Sequence, residues 1–376
     1  MILYYILAVK NKGEPSMTLR ERFLRTMHYQ HPEKIPNFEF GYWAETLPRW
    51  HSEGLPKEIN DEASAYRYFG IEDFVRVVPQ LSLNPGFEYK IIHEDENYLT
   101  YREGNGVTSQ TTKKTAHSIP HFIDFPIKNR NDWTEYKVRL SDNPEGRIPE
   151  NLSELNDSLK KSNAPRTIWF GSMIGCVRDI TGFENLAYLV YDDRDLIEDM
   201  VETFCRITER CLPIILEKVE FDAANGWEDI CYNSGPIISP KMFAEIVVPR
   251  YQRITKILRD HGIDTIFTDC DGNIVPLIPS FLKGGINCMF PLEVNGGGDP
   301  VLIREKFGKE VLLLGGVDKM VLDKGPKAIE KELLRLRPVV EEGGFIPHVD
   351  HRVPANISLE DYRTYLKLKK EILGIS

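Results

Sequence analysis

The chain has no Cys-x-x-Cys pair, no run of lysine and arginine, and no apolar stretch long enough to cross a bilayer. Each absence excludes a class of protein. The six cysteines (Cys176, Cys205, Cys211, Cys231, Cys270 and Cys288) lie scattered in mostly apolar surroundings, as reduced thiols do, and not as a disulfide framework. A net charge of −10 without a basic cluster argues against nucleic-acid binding, which needs a cationic surface to neutralise phosphates. The apolar residues 1–9 lack a basic flank and fall far short of the ~20 residues of a spanning helix. No membrane association and a cytoplasmic location are therefore expected. Internal repeats and linkers of disordered composition are also missing. The 376 residues, 41% apolar and 28% charged, read as one globular domain with a sizeable core.

What is present concentrates in the last third. Short apolar runs bounded by Gly and Pro read as buried strands. Residues 263–267 lead into Thr268-Asp269-Cys270-Asp271-Gly272-Asn273, and residues 286–290 into Pro291-Leu292-Glu293. Residues 343–346 lead towards Asp350-His351-Arg352-Val353-Pro354. These ionisable groups fall at strand C-termini, where parallel α/β folds place their chemistry. Three such coincidences mark an active site.

Along the chain, Thr18 and Glu21 form the capping box of a first helix, so the folded domain is expected to span 17–376. Residues 1–16 are read as a disordered N-terminal extension or a start-site artefact. Strands are expected at 35–40, 74–78, 167–171, 221–232, 263–267, 286–290, 311–316 and 344–349. The alternation between Phe87 and Val107, ending in Glu103-Gly104-Asn105-Gly106, predicts an antiparallel hairpin insertion. Helices are expected at 183–191, at 195–220 and after Ser239-Pro240. Eight strands with helices between most of them predict a (β/α)₈ TIM barrel with an N-terminal helical extension and a β-hairpin insertion.

Further site candidates follow from position. Glu228 and Asp229 close the fourth strand, and Asp318 follows Gly315-Gly316; all three are catalytic candidates. Tyr42, Trp43 and Met173 follow strand ends and, with Glu39 in the first strand, are expected to line a pocket, with Asn273 and His348 as further substrate contacts. Each also has a plainer reading. Asp269 and Asp271 could be a hydrogen-bonded pair in a turn, and His348 a packed core histidine. Two carboxylates at a buried barrel mouth nevertheless need a cation or a shared proton between them. Alternation puts Cys270 on the opposite face, as a small buried apolar group.

One set of motifs carries a resemblance. Ser234-Gly235-Pro236-Ile237-Ile238-Ser239-Pro240-Lys241-Met242-Phe243, Val248-Pro249-Arg250-Tyr251 and Asp271-Gly272-Asn273 belong to it. So do Pro291-Leu292-Glu293, Gly315-Gly316-Val317-Asp318 and Asp350-His351-Arg352-Val353-Pro354. Together they resemble the uroporphyrinogen decarboxylase superfamily, over roughly residues 18–374. The resemblance implies either decarboxylation or methyl transfer of the corrinoid and coenzyme M kind. Two departures bear on the choice. The haem-pathway decarboxylases carry an arginine-rich segment resembling M-R-Q-A-G-R; here Phe38-Glu39-Phe40-Gly41-Tyr42-Trp43 stands in its place. An acidic, aromatic lining is wrong for a tetrapyrrole with eight carboxylates, whose matched partner is bidentate arginine. The methyltransferase branch carries a His-x-Cys-Gly zinc motif and a later Cys, which fall here on Asp269-Cys270-Asp271-Gly272 and near His351. The resulting oxygen and nitrogen set, Asp269, Asp271, Glu293 and His351, resembles the carboxylate–histidine zinc sites of methyl-ether-cleaving methyltransferases. It suits Zn²⁺, and equally Mn²⁺ or Fe²⁺.

The resemblance thus implies a methyltransferase acting on a small O- or N-methylated compound. The barrel takes up the whole chain, so no corrinoid is expected within it and the corrinoid would ride on a separate protein. A carboxy-lyase acting on a substrate outside the haem pathway is the alternative, and a non-catalytic ligand-binding barrel a third reading. A homodimer is compatible with all three.

Overall fold

The computed structural model of the chain describes residues 17–113 and 119–376; the extension expected at 1–16 lies outside the described residues. Seven strands form one parallel sheet in sequential order. They are β1 (Val75–Val77), β2 (Arg166–Gly171), β3 (Ala223–Trp227), β4 (Thr265–Asp269), β5 (Cys288–Phe290), β6 (Leu312–Val317) and β7 (Phe345–Val349). Every residue of β6 and β7 is buried. That is the signature of strands covered by helices on one side and barrel core on the other. The inner core holds Ala223, Phe267, Cys288, Leu312, Leu314 and Ile346, closed by Phe23 and Met27 of the first helix, α1 (Leu19–Met27). Helix α1 begins with the expected Thr18–Glu21 capping box. The outer core packs the crossover helices around the sheet, among them Arg194–Leu216, Val248–Asp260 and Pro326–Glu342.

The first of the eight expected strands is not a strand. Residues 35–42 form no sheet ladder; their backbone makes isolated bridges to residues outside the seven strands, Ile35 with Ile375 and Tyr42 with Val353. Pro36 has no N–H to offer a ladder. Side chains do the bonding instead. Glu39 accepts from the Val349 N–H at 3.2 Å and from Lys369 Nζ at 2.7 Å, and Glu72 accepts from the Asn37 N–H at 2.9 Å. The result is a curled seven-stranded parallel sheet of the (β/α)₈ type. Between β1 and β2, a four-stranded antiparallel sheet (Lys90–Glu94, Tyr98–Arg102, Thr108–Thr112, His121–Asp124) stands where a lone hairpin was expected. The helices expected near 183, 195 and 240 are Phe183–Asp192, Arg194–Leu216 and Pro240–Ile246, the last capped by Ser239. Among the described residues no helix is long and apolar enough to cross a membrane.

Candidate functional site

Four loops at the C-terminal ends of the strands converge. β4 ends at Asp269, and the chain then turns at Gly272, whose φ is +77°. A Cβ there would lie 2.8 Å from the Cys231 carbonyl oxygen, so both conformation and space demand glycine. This pins the turn against the loop that follows β3. The Asp271 N–H donates to Asp229 Oδ1 at 2.9 Å, and the Gly272 N–H to Glu293 Oε2 at 2.9 Å. His351 Nε2 comes within 3.2 Å of Asp271 Oδ2. Its ring stacks on Trp43 (centroids 5.3 Å apart, planes at 16°) and meets the edge of Phe40. Asp229 and Leu292 have φ of 50° and 67°, two of the three left-handed non-glycine residues among those described. Backbone strain of this kind concentrates at functional sites.

Two overlapping groups of ligand atoms result. One atom each from Asp271, Glu293 and His351 lies within 4.8 Å of the other two, and the same holds for Asp229, Asp269 and Asp271. Asp271 belongs to both, and its Oδ1 is buried without a hydrogen-bond partner. Burial, and then repulsion from Asp271, holds the carboxyl of Asp229 above the usual carboxylate range, against the Asp271 N–H and Arg178. Burial followed by the charges of Asp271 and Asp229 pushes Asp269 up in the same way. Crowded carboxylates at these distances call for a cation or a proton.

Two cavities flank the cluster. A chamber of about 330 Å³ inside the sheet is lined by Trp169, Phe267, Phe290, His348, Glu39 and Asp269, among others. A rim cavity of about 510 Å³ is lined by Arg178, Asp229, Tyr232, Asp271 and Glu293, among others. Asp269 faces the first and Asp271 the second, so the acidic cluster forms the boundary between them.

The other expected site residues distribute as follows. Glu39 is buried, paired with Lys369 and accepting from the Tyr365 hydroxyl at 2.8 Å, and it contributes to the chamber wall. Tyr42 is buried with its hydroxyl 3.1 Å from that of Tyr362, inside an aromatic cluster and away from both cavities. His348 lines the chamber, and burial drives its pKa down to about 3. Its Nδ1 lies 2.8 Å from the Val349 carbonyl, which can only accept. Asn273 donates its N–H to the Tyr232 carbonyl at 3.0 Å, beside the rim.

Three candidates stand apart from the cluster. Glu228 is fully buried and accepts from the N–H groups of Met173, Ile174 and Gly175 and from the Tyr251 hydroxyl. It caps the N-terminus of the helix Ile174–Thr181, where a carboxylate is well placed against the dipole. Met173 is fully buried as part of that cap. Asp318 accepts from Met320 N–H at 2.8 Å and Asn295 Nδ2 at 2.7 Å, capping the turn Lys319–Lys324.

Three further residues complete the site: Lys319 and Arg178, which no motif of the sequence singled out, and Asp350, part of the motif before His351. Lys319 Nζ holds Glu293 Oε1 at 2.7 Å. Arg178 donates to the Asp229 carbonyl and lies 4.0 Å from its Oδ2. Asp350 is fully buried and accepts from the N–H groups of Val294 and Lys319, tying together the loops after β5, β6 and β7. These partners lie 26 to 56 residues apart in the chain, and no local spacing rule connects them.

Comparison with known proteins agrees with this architecture. A family model described as uroporphyrinogen decarboxylase (URO-D) matches residues 112–372. A search of curated proteins found no match. Among solved structures the chain is similar to a methyltransferase from Methanosarcina mazei, with 13% identity and a TM-score of 0.59 over 95% of this chain and 99% of that one. It is also similar to a B12-independent methionine synthase from Shewanella sp. W3-18-1, at 12% identity and a TM-score of 0.44 over 90% of this chain and 98% of that one. At these identities the likeness speaks to the fold.

Proposed function

The chain belongs to the uroporphyrinogen decarboxylase family, and from that premise we propose that it catalyses metal-assisted methyl transfer from a small O- or N-methylated compound to a corrinoid carried by a separate protein. The observation that carries this reading is the convergence on Asp271. Two carboxylates and an imidazole (Asp271, Glu293, His351) come within ligand reach of one point, and the Asp271 Oδ1 is buried without a partner. Such a set fits a divalent cation, Zn²⁺ foremost, with a coordination position left for substrate. When bound there, the cation would supply Lewis-acid polarisation of the heteroatom that carries the methyl group.

The chain's own residues do the remaining work. Lys319 and the Gly272 N–H fix the Glu293 carboxylate, and Trp43 fixes the plane of His351, as the outer partners of ligands do. The chamber, at the small end of the range for ligand sites, accepts a small molecule and keeps it out of bulk water. Its two lining arginines are already engaged, Arg76 with Asp73 at 2.7 Å and Arg352 with Glu62 at 2.9 Å. A polycarboxylate such as uroporphyrinogen would find no free guanidinium there. The resemblance in fold to a methyltransferase supports the same direction.

The test is elemental analysis of protein purified without chelator, followed by anaerobic incubation with reduced cobalamin and a panel of methyl ethers and methylamines. Stoichiometric metal and methylcobalamin formation that stops after chelation and returns with Zn²⁺ is the expected result. A second reading is favoured by Asp269, a carboxylate in the wall of an aromatic chamber, suited to stabilising a protonated intermediate during loss of CO₂. Metal-free protein that releases CO₂ from a small carboxylate would select that lyase reading.

A further inference from the structure

One side chain of the chamber wall has nothing to bond. Asn225 sits in the middle of β3, in register with Trp169 of β2 and Phe267 of β4, and all three line the chamber. The Asn225 Oδ1 is buried without a hydrogen-bond partner, and its amide nitrogen bonds no described residue either. An orphaned amide of this kind costs stability. Its place inside a cavity calls for a partner from outside the chain.

The neighbouring polar groups are spoken for. Glu39 pairs with Lys369 at 2.7 Å, Glu62 with Arg352 at 2.9 Å and Asp73 with Arg76 at 2.7 Å. The Tyr66 hydroxyl donates to the Glu39 carbonyl at 2.8 Å. His348 turns Nδ1 to the Val349 carbonyl at 2.8 Å, which places the ring proton there and leaves Nε2 as an acceptor without a partner. These ion pairs are closed on themselves, and the groups left open are a neutral amide and an imidazole lone pair. Asp269 meets an amide in either protonation state, since a carboxylate accepts from N–H and a carboxyl donates to C=O.

Flat rings flank the orphan. Trp169 and Phe267 stand on either side of Asn225 in the same row, and Phe290 follows 6.0 Å from Phe267. Aromatic walls with one exposed amide between them suit a planar, neutral group that both donates and accepts. The same face of β4 presents Asp269 two residues later, about 7 Å nearer the barrel mouth. A compound anchored at Asn225 thus points its other end at the acidic cluster. We infer that Asn225 is a specificity-determining residue for a neutral amide: a carboxamide or lactam pairs edge to edge with it, donor to acceptor and acceptor to donor, between Trp169 and Phe267. The inference deepens the methyl-transfer reading and rests on it only for the reaction at the other end of the compound.

The probes are three rings of one size: δ-valerolactam, cyclohexanone, which accepts but cannot donate, and piperidine, a cation at neutral pH. Each is titrated into the full-length protein as purified and followed by ligand-observed NMR. The lactam should bind roughly tenfold or more tightly than either of the others, because a site built to hydrogen-bond rejects an analogue that leaves its polar groups unpaired. Asn225→Ala should weaken the lactam by roughly tenfold and cyclohexanone by less than about threefold. The same variant should unfold at or above the midpoint of the unmodified protein, since the amide it removes bonds nothing in the fold. Equal affinities for lactam and ketone, tighter binding of piperidine, or an unchanged lactam affinity in Asn225→Ala would each overturn the inference. A lowered midpoint would do so too, by showing that the amide serves the fold. Lactam preference without methylcobalamin formation would sink the methyl-transfer reading and leave the amide site standing. Methyl transfer from compounds without an amide, with no lactam preference, would do the reverse.

Discussion

Acidification should weaken the fold by a predictable amount through one buried imidazole. His348 is 2% exposed, and burial holds its folded pKa at about 3. In the unfolded chain a histidine titrates near ~6.5. The depressed folded value means that the unfolded state takes up the proton first. Stability is therefore complete above the unfolded pKa and falls as pH drops through the window from ~6.5 towards 3. Between pH 7 and pH 5 the loss from this group is about 2 kcal/mol, and over the whole window about 5 kcal/mol. Asp350 acts with the opposite sign. Burial raises its carboxyl to about 6, so the folded state holds that proton more tightly and gains stability as pH falls. Subtraction isolates the histidine. Chemical denaturation of the unmodified chain and of His348→Gln, each at pH 7 and pH 5, gives four midpoints. The variant should start less stable, yet its loss between the two pH values should be about 2 kcal/mol smaller. Equal losses in the two proteins would show that His348 titrates in the folded state as it does in the unfolded chain, and its burial as a neutral imidazole would be refuted.

Three further outcomes are expected. Asp271→Asn should lower Zn²⁺ affinity by more than the ~10–100-fold typical of losing an outer-shell partner, as read by competition with a chromophoric chelator; an unchanged affinity would remove Asp271 from the ligand set. Lys369→Met should cost about 3–5 kcal/mol in chemical denaturation by leaving the Glu39 charge buried alone, and adding Glu39→Gln should recover most of it. If the double variant is as unstable as the single one, the ion pair is not the cause. Anaerobic incubation with uroporphyrinogen should yield no coproporphyrinogen, since both chamber arginines are taken, and its appearance would contradict the charge count.

The positions of Asp269, Asp271, Glu293 and His351 could be read in advance because two local signals coincide at each. An apolar run of strand length ends, and a Gly- or Pro-containing turn begins. What such signals do not encode is the direction of a side chain once the strand stops. Glu228 and Asp229 are adjacent, and no periodicity says which one enters the cluster. The left-handed backbone of Asp229 sends it to Asp271, while Glu228 turns back to cap a helix. The capping of Asp318 likewise depends on Asn295, 23 residues away. The strand expected at 35–40 failed for a related reason. Its composition is strand-like, yet Pro36 and the buried Asn37 and Glu39 commit the segment to side-chain partners on the last helix and on β7.

That segment makes the tube laced on all but one side. Between β1 and β7 the wall is stitched by an ion pair, a few side-chain bonds, isolated backbone bridges at its ends and a backbone bond from the Glu72 N–H to the Asn37 carbonyl. A seam of this kind can widen without unzipping a ladder, whereas the seven-stranded remainder can move only as a unit. Phe38, Glu39 and Phe40 are at once the seam and part of the chamber wall. Whatever occupies the chamber therefore touches this weakly laddered seam directly. Amide exchange across 37–41 should slow when the chamber fills, while that of β4 to β7 stays as it was.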